Sequence, residues 1–267
     1  MGSRRVAAGN NKGGSGKTAW VVNTAAALAD AGRRVLVVDM DPQANASRRL
    51  GRPYREESPT VTTADVLRDA ETGSAVDGIV PCAWDGVYGM RIDILPSRFD
   101  LEKRVAEAAV IGARSRLVRA LEGADDQYDV TLIDCPPSLG HLTELALAAA
   151  HYGIALIDPE FDGVQGATRL RDFMQDEQTR RELANMDLQF LAAIPSRIDN
   201  RVGAHLHHVS TLPSLFGQDL VWEPIPERAT VKNAADAALP LSSEGARAAD
   251  IRAVYADNAE RLWKAIG

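Results

Sequence analysis

The feature that most limits what this chain can fold into is the stretch Gly9-Asn10-Asn11-Lys12-Gly13-Gly14-Ser15-Gly16-Lys17-Thr18. A short aliphatic segment, Arg5 to Ala8, precedes it and a helical pattern follows, so it reads as the turn between a strand and a helix. Gly13, Gly14 and Gly16 allow backbone conformations that a Cβ would obstruct, so that successive N–H groups curl around an anion. The start of the next helix adds the positive end of its dipole. Lys17 is then placed to bridge the β- and γ-phosphates of a nucleotide, and the Thr18 hydroxyl to ligate its Mg²⁺. Asn11 to Thr18, Ser15 included, form the candidate ATP cradle. Asn11 stands where a loop of the form GxxxxGKS/T has its first glycine. Asparagine tolerates a positive φ, so the turn is expected to survive there.

Short aliphatic runs alternate with helical patterns along the chain. Val35 to Val38, Val130 to Ile133, Ile154 to Ile157 and Phe190 to Ile194 read as strands buried on both faces, and Met90 to Leu95 alternates as another. Helices are expected over Thr18 to Ala31 with Gly32 as the stop, over Arg98 to Glu122 with a break near Gly112, and over Glu244 to Ile266. The alternation predicts an α/β fold: a doubly wound, mostly parallel sheet flanked by helices, with ligand at the carboxyl ends of the strands. Residues 1–267 are expected to form one domain, with no room before the glycine loop for a helix-turn-helix.

Two acidic segments complete the nucleotide chemistry. Val35 to Val38 runs into Asp39-Met40-Asp41-Pro42-Gln43, where both carboxylates, two residues apart on extended chain, face one site. The strand carrying them is expected beside that of the glycine loop. Val130 to Ile133 runs into Asp134-Cys135-Pro136-Pro137-Ser138, a hydrophobic strand ending in a carboxylate that holds Mg²⁺ through water. Asp158, before Pro159, has a similar setting and reads as a strand-end turn residue.

Lys12-Gly13-Gly14-Ser15-Gly16-Lys17-Thr18 resembles the deviant Walker A motif of the ParA/MinD superfamily. Asp39 to Gln43 and Asp134 to Gly140 resemble its second and third motifs in the ParA wording. The likeness runs from Gly9 to about Gly245, through Thr63 to Leu67, Leu95-Pro96-Ser97, Pro159-Glu160-Phe161 and Ile225-Pro226. It implies a P-loop ATPase fold, ATP and Mg²⁺ as cofactors, and a homodimer when ATP is bound. Lys12 would reach the partner's nucleotide, Asp41 would orient the attacking water, and Asp39 would support the magnesium shell indirectly. Pro226 would border the adenine. Ala19 and Trp20 stand where family members often have threonines, so contacts to the α-phosphate are expected to be weaker. Glu227 and Thr230 stand where arginines are frequent.

The ParA resemblance further implies segregation of plasmid or chromosomal DNA, with release from non-specific double-stranded DNA after hydrolysis stimulated by a ParB-like adaptor. Arg201 aligns with a DNA-contacting arginine, and Arg197, Arg228 and Lys232 are the other DNA candidates. The formal net charge of −7 argues against a generally basic surface, so any DNA contact must come from a few placed residues. The alternative is a MinD-like positioning ATPase acting on a membrane or a protein assembly. The charges of the last helix balance too nearly for a basic lipid-inserting tail. A nitrogenase-reductase-like redox carrier would need two cluster-ligating thiolates per chain, and Cys82 and Cys135 lack that setting. Without a signal-like leader, a membrane-length apolar run or a paired-cysteine motif, the expected location is the cytoplasm, on the nucleoid in the ATP state. His205, His207 and His208 share a predicted helix but lack a ligand set and read as surface residues.

Overall fold

The computed structural model describes residues 2–267. Its strands are β1 (Arg4–Gly9), β2 (Val35–Asp39), β3 (Val80–Pro81), β4 (Ile92–Leu95), β5 (Val130–Asp134), β6 (Tyr152–Ile157), β7 (Gln189–Ile198) and β8 (Ile225–Pro226). They form one sheet in the order β3-β4-β2-β5-β1-β6-β7-β8. Only the β3–β4 pairing is antiparallel.

The helices are α1 (Lys17–Asp30), α2 (Asn45–Arg49), α3 (Thr63–Asp69), α4 (Val87–Arg91), α5 (Arg116–Leu121), α6 (His141–Ala149), α7 (Phe161–Gln175), α8 (Glu177–Glu182), α9 (Gly203–Phe216), α10 (Ala229–Asp236) and α11 (Ala249–Ile266). Period-two alternation sends Val6, Val35, Val37, Val130 and Leu132 to one face, under α1 and α11. Ala7, Leu36, Val38 and Ile133 go to the other, under α3, α5, α6 and α7. The central strands are therefore aliphatic throughout because each face meets helices. At the end of α1, Gly32 takes φ 85° and the Arg33 N–H donates to Leu28 O at 2.9 Å, a Schellman stop.

Three expectations are corrected. β2 does not neighbour the strand of the glycine loop; β5 lies between β2 and β1. The segment expected as a helix over Arg98 to Glu122 is mostly 3₁₀, over Phe99–Glu107 and Ala113–Ser115, before α5 begins. Within Phe99–Glu107 only Leu101 is buried, so no apolar stripe holds an α-helix to the core, and Gly112 then turns the chain at φ 78°. The last helix starts at Ala249 rather than Glu244, because Gly245 at φ 60° and ψ −137° interrupts it. No helix among the described residues is long and apolar enough to cross a membrane.

Candidate functional site

The glycine loop leaves β1 at the carboxyl edge of the sheet and enters α1. Gly14 and Gly16 adopt φ of 79° and 89°. Asn11 does not adopt a positive φ, so the turn makes no such demand on it; Gly14 and Gly16 meet it instead. The Asn10 amide anchors the loop from below, donating to Leu156 O at 2.6 Å and Gly163 O at 3.1 Å. A Cβ on Gly166 would overlap Asn10 Oδ1, so the glycine admits this tether. Lys17 is buried, with Nζ donating to Lys12 O at 3.2 Å. Burial lowers its pKa, against the pull of Asp134 and Asp41.

The sheet register sets the acids. Asp134 pairs with Ala8 on one side and Asp39 on the other, so both carboxylates lie in one row beneath the loop. Asp39 is fully committed. Its Oδ2 accepts from Ser47 N at 2.9 Å and Ser47 Oγ at 2.7 Å, and its Oδ1 from Asp41 N at 3.1 Å. Those bonds hold the turn that presents Asp41, whose Oδ1 accepts from Gln43 N at 2.9 Å. Asp134 is the reverse: completely buried, with neither oxygen hydrogen-bonded. Burial raises its pKa and the Asp39 charge adds to this; Thr18 and Lys17 lie close enough to oppose it. A buried carboxylate beside a threonine hydroxyl, with neither oxygen otherwise taken, is a donor set suited to a hard cation held through water.

Above this floor opens a cleft of about 530 Å³. Gly13 to Ala19 line it on one side. Asp41, Gln43, Asn45 and Arg49 line it on another, and Ser196, Arg197, Pro226, Glu227, Arg228 and Lys232 close it. The four basic residues expected to hold DNA are thereby divided. Arg197 Nη1 donates to Gly14 O at 2.8 Å and its Nη2 lies 3.3 Å from Glu227, from a backbone with φ 62°. Lys232 pairs with Glu227 at 2.7 Å and Arg228 with Asp250 at 2.9 Å. Arg201 alone does not line the cleft; its side chain is 90% exposed and paired with Asp199.

Lys12 does not line the cleft either. Its Nζ lies 3.0 Å from Asp158 Oδ2 and 2.6 Å from Glu160 Oε2. Burial opposes the ammonium charge, but the bonds to Glu160 and Asp158 outweigh it and the pKa is raised. Asp158 is thus more than a turn residue. Sequence reasoning also missed Arg49, Ser196, Asp236 and Tyr255 as cleft residues. Arg49 sits in a helix too short to show periodicity, and Tyr255 reads as part of the apolar face of α11. The described residues include no group of three or more His, Cys, Asp or Glu side chains arranged for a metal, the α9 histidines included.

A phosphate-binding loop on a parallel sheet, with acids from the two strands beyond it, defines a P-loop ATPase. Residues 3–190 match the family model described as an AAA domain. The chromosome-partitioning ATPase Soj of Thermus thermophilus is 34% identical over 86% of this chain and 84% of its own. The chain belongs to the ParA/Soj family of ATPases, within the ParA/MinD superfamily. Among solved structures, a McdA variant from Cyanothece in complex with ATP has a like fold. It has a TM-score of 0.83 at 20% identity, covering 98% of this chain and 97% of that one. A Mycobacterium smegmatis structure described as cobyrinic acid a,c-diamide synthase with bound ADP and magnesium aligns at TM-score 0.77. It is 29% identical, with 98% and 96% covered.

Proposed function

We propose that the chain is an ATP-operated dimerisation switch that partitions plasmid or chromosomal DNA. The observation that carries this reading is the position of Lys12: outside its own cleft, held by Asp158 and Glu160 rather than turned toward its own nucleotide site. Lys17 and the loop N–H groups would bind the phosphates of ATP, and Pro226 would border the base. Thr18 and Asp134 would hold Mg²⁺, the latter through water, with Asp39 fixing the neighbouring turn. When bound, the cation would neutralise charge on the β- and γ-phosphates. Asp41 would orient water for attack on the γ-phosphorus, giving ADP and phosphate, while Lys12 of the opposite protomer stabilises the charge that develops.

In the dimer, Arg201 from both protomers would contact DNA phosphates without regard to sequence. Hydrolysis stimulated by a ParB-like adaptor would return the protein from the nucleoid to the free cytoplasmic state. Partition is favoured over a MinD-like membrane role by α11. Its apolar residues Ile251, Tyr255, Ala259, Leu262 and Ile266 are buried in the core and leave no apolar face for lipid. The test is sedimentation with duplex DNA. The protein should dimerise and co-sediment with DNA only with ATP and Mg²⁺. A confirmed ATP dimer that ignores DNA at low salt would exclude the partition reading.

A further inference from the structure

Five basic side chains line the cleft, and four have partners within the chain. Lys17 donates to Lys12 O, Arg197 to Gly14 O, Arg228 pairs with Asp250 and Lys232 with Glu227. The fifth, Arg49, makes no ion pair and no hydrogen bond to any described residue, and its Nε is buried without an acceptor. We propose that Arg49 is a phosphate ligand of the bound nucleotide, supplied from α2 rather than from the glycine loop. The inference rests on the reading of the cleft as an ATP site and extends it to a residue that no motif marks.

A guanidinium carries five donors and no acceptor, in a planar fork that matches two oxygens of a phosphoryl group. A neutral base or ribose would leave its charge uncompensated. Asp134 and Asp236 attract it from a distance without bridging to it, and burial disfavours its charged form. An arginine kept half-buried with no acceptor destabilises the protein that holds it. Such an arrangement persists where an anion is to arrive. α2 begins at Asn45, four residues beyond Asp41, which places Arg49 on the element that follows the Asp41 turn. Ala19, next to the Thr18 hydroxyl, offers the cleft only a methyl group. Arg49 brings a positive charge to the same cleft from another side.

The experiment measures ADP affinity by calorimetry, ATP affinity in the Asp41→Ala background, and nucleotide-free melting temperature. The parent, Arg49→Gln and Arg49→Lys are compared. Arg49→Gln should weaken both nucleotides by roughly ten- to a hundredfold, the factor a charge-assisted hydrogen bond carries. Arg49→Lys should recover part of that loss. The melting temperature of nucleotide-free Arg49→Gln should equal or exceed that of the parent, because an unpaired buried charge has been removed. ADP affinity equal to the parent's overturns the inference. So does a lowered nucleotide-free melting temperature, which would make the arginine a support of the fold. If the parent itself binds neither nucleotide, the reading of the cleft fails first; if the parent binds and Arg49→Gln binds equally, only the role of Arg49 fails.

Discussion

Lys12 is joined to Asp158 of its own chain at 3.0 Å, with Glu160 on its other side. A lysine that is to serve a partner's nucleotide must give up both carboxylates, so the proposed dimerisation would include an exchange of ion-pair partners. Lys12→Ala should bind ADP nearly as the parent does and fail to dimerise with ATP. Replacing its holders, Asp158→Asn with Glu160→Gln, should lower the ATP concentration needed for the dimer. Sedimentation velocity across an ATP titration reads both. A Lys12→Ala protein that dimerises normally would remove the cross-protomer role.

Asp41 and Asp134 should separate hydrolysis from metal-dependent binding. Asp41→Ala is expected to cut turnover by roughly a hundredfold or more, the contribution typical of a group that handles the attacking water, while the ATP dimer persists. Asp134→Asn should instead weaken ATP only when Mg²⁺ is present. Phosphate release and nucleotide binding with Mg²⁺ or EDTA distinguish them. Equal Mg²⁺ dependence in Asp134→Asn and the parent would place the metal elsewhere.

The raised pKa of Asp134 has a consequence for stability. In the folded, nucleotide-free protein this group holds its proton to higher pH than in the unfolded chain, because burial and the Asp39 charge disfavour ionisation. The folded state then binds more protons than the unfolded one, so stability falls as pH rises. The contribution is complete below the ordinary carboxylate range and is lost as pH climbs through the raised folded value. Melting temperatures without nucleotide should therefore decline over that interval, and Asp134→Asn should flatten the decline. A slope identical in parent and variant would assign the pH dependence to other groups.

The divided basic residues make distinct claims on DNA and on nucleotide. Each cation that neutralises a phosphate contributes about −0.9 to the slope of log affinity against log salt. Arg201→Glu should flatten that slope and weaken every duplex alike, with ATP-driven dimerisation intact. Arg228→Glu and Lys232→Glu, facing the cleft, should change nucleotide affinity first and DNA retention only through loss of the dimer. DNA retention by the Asp41→Ala dimer, titrated with salt, checks this. Unchanged retention in Arg201→Glu would move the DNA surface to another face.

Much of the sheet was legible because β2, β5 and β6 are runs of aliphatic residues whose two buried faces leave no other reading. The glycine loop and its acids were legible because phosphate chemistry demands particular side chains at fixed spacing. The order of strands was not, since nothing in Val35 to Asp39 says whether β1 or β5 lies beside it. The 3₁₀ run after Arg98 escaped because its residues favour helix locally, while only Leu101 reaches the core. Arg197 read as a DNA candidate rather than a cleft residue because its contact with Gly14 joins residues 183 apart in sequence. Arg49 gave no sign, as an unpaired charge is visible only once every neighbour is in place.

The two outermost strands, Val80–Pro81 and Ile225–Pro226, are each two residues long and each ends in proline. A sheet with such blunt borders offers a neighbouring molecule almost no unpaired peptide groups to zip onto. Edge strands this short give continuous strand pairing from one molecule to the next, the route to uncontrolled fibres, little to build on. Self-association is left to helix faces and to the rim where the strands end, which is where the nucleotide cleft opens. An ATP-driven dimer of the kind proposed above would gain from sheet borders so poorly suited to pairing.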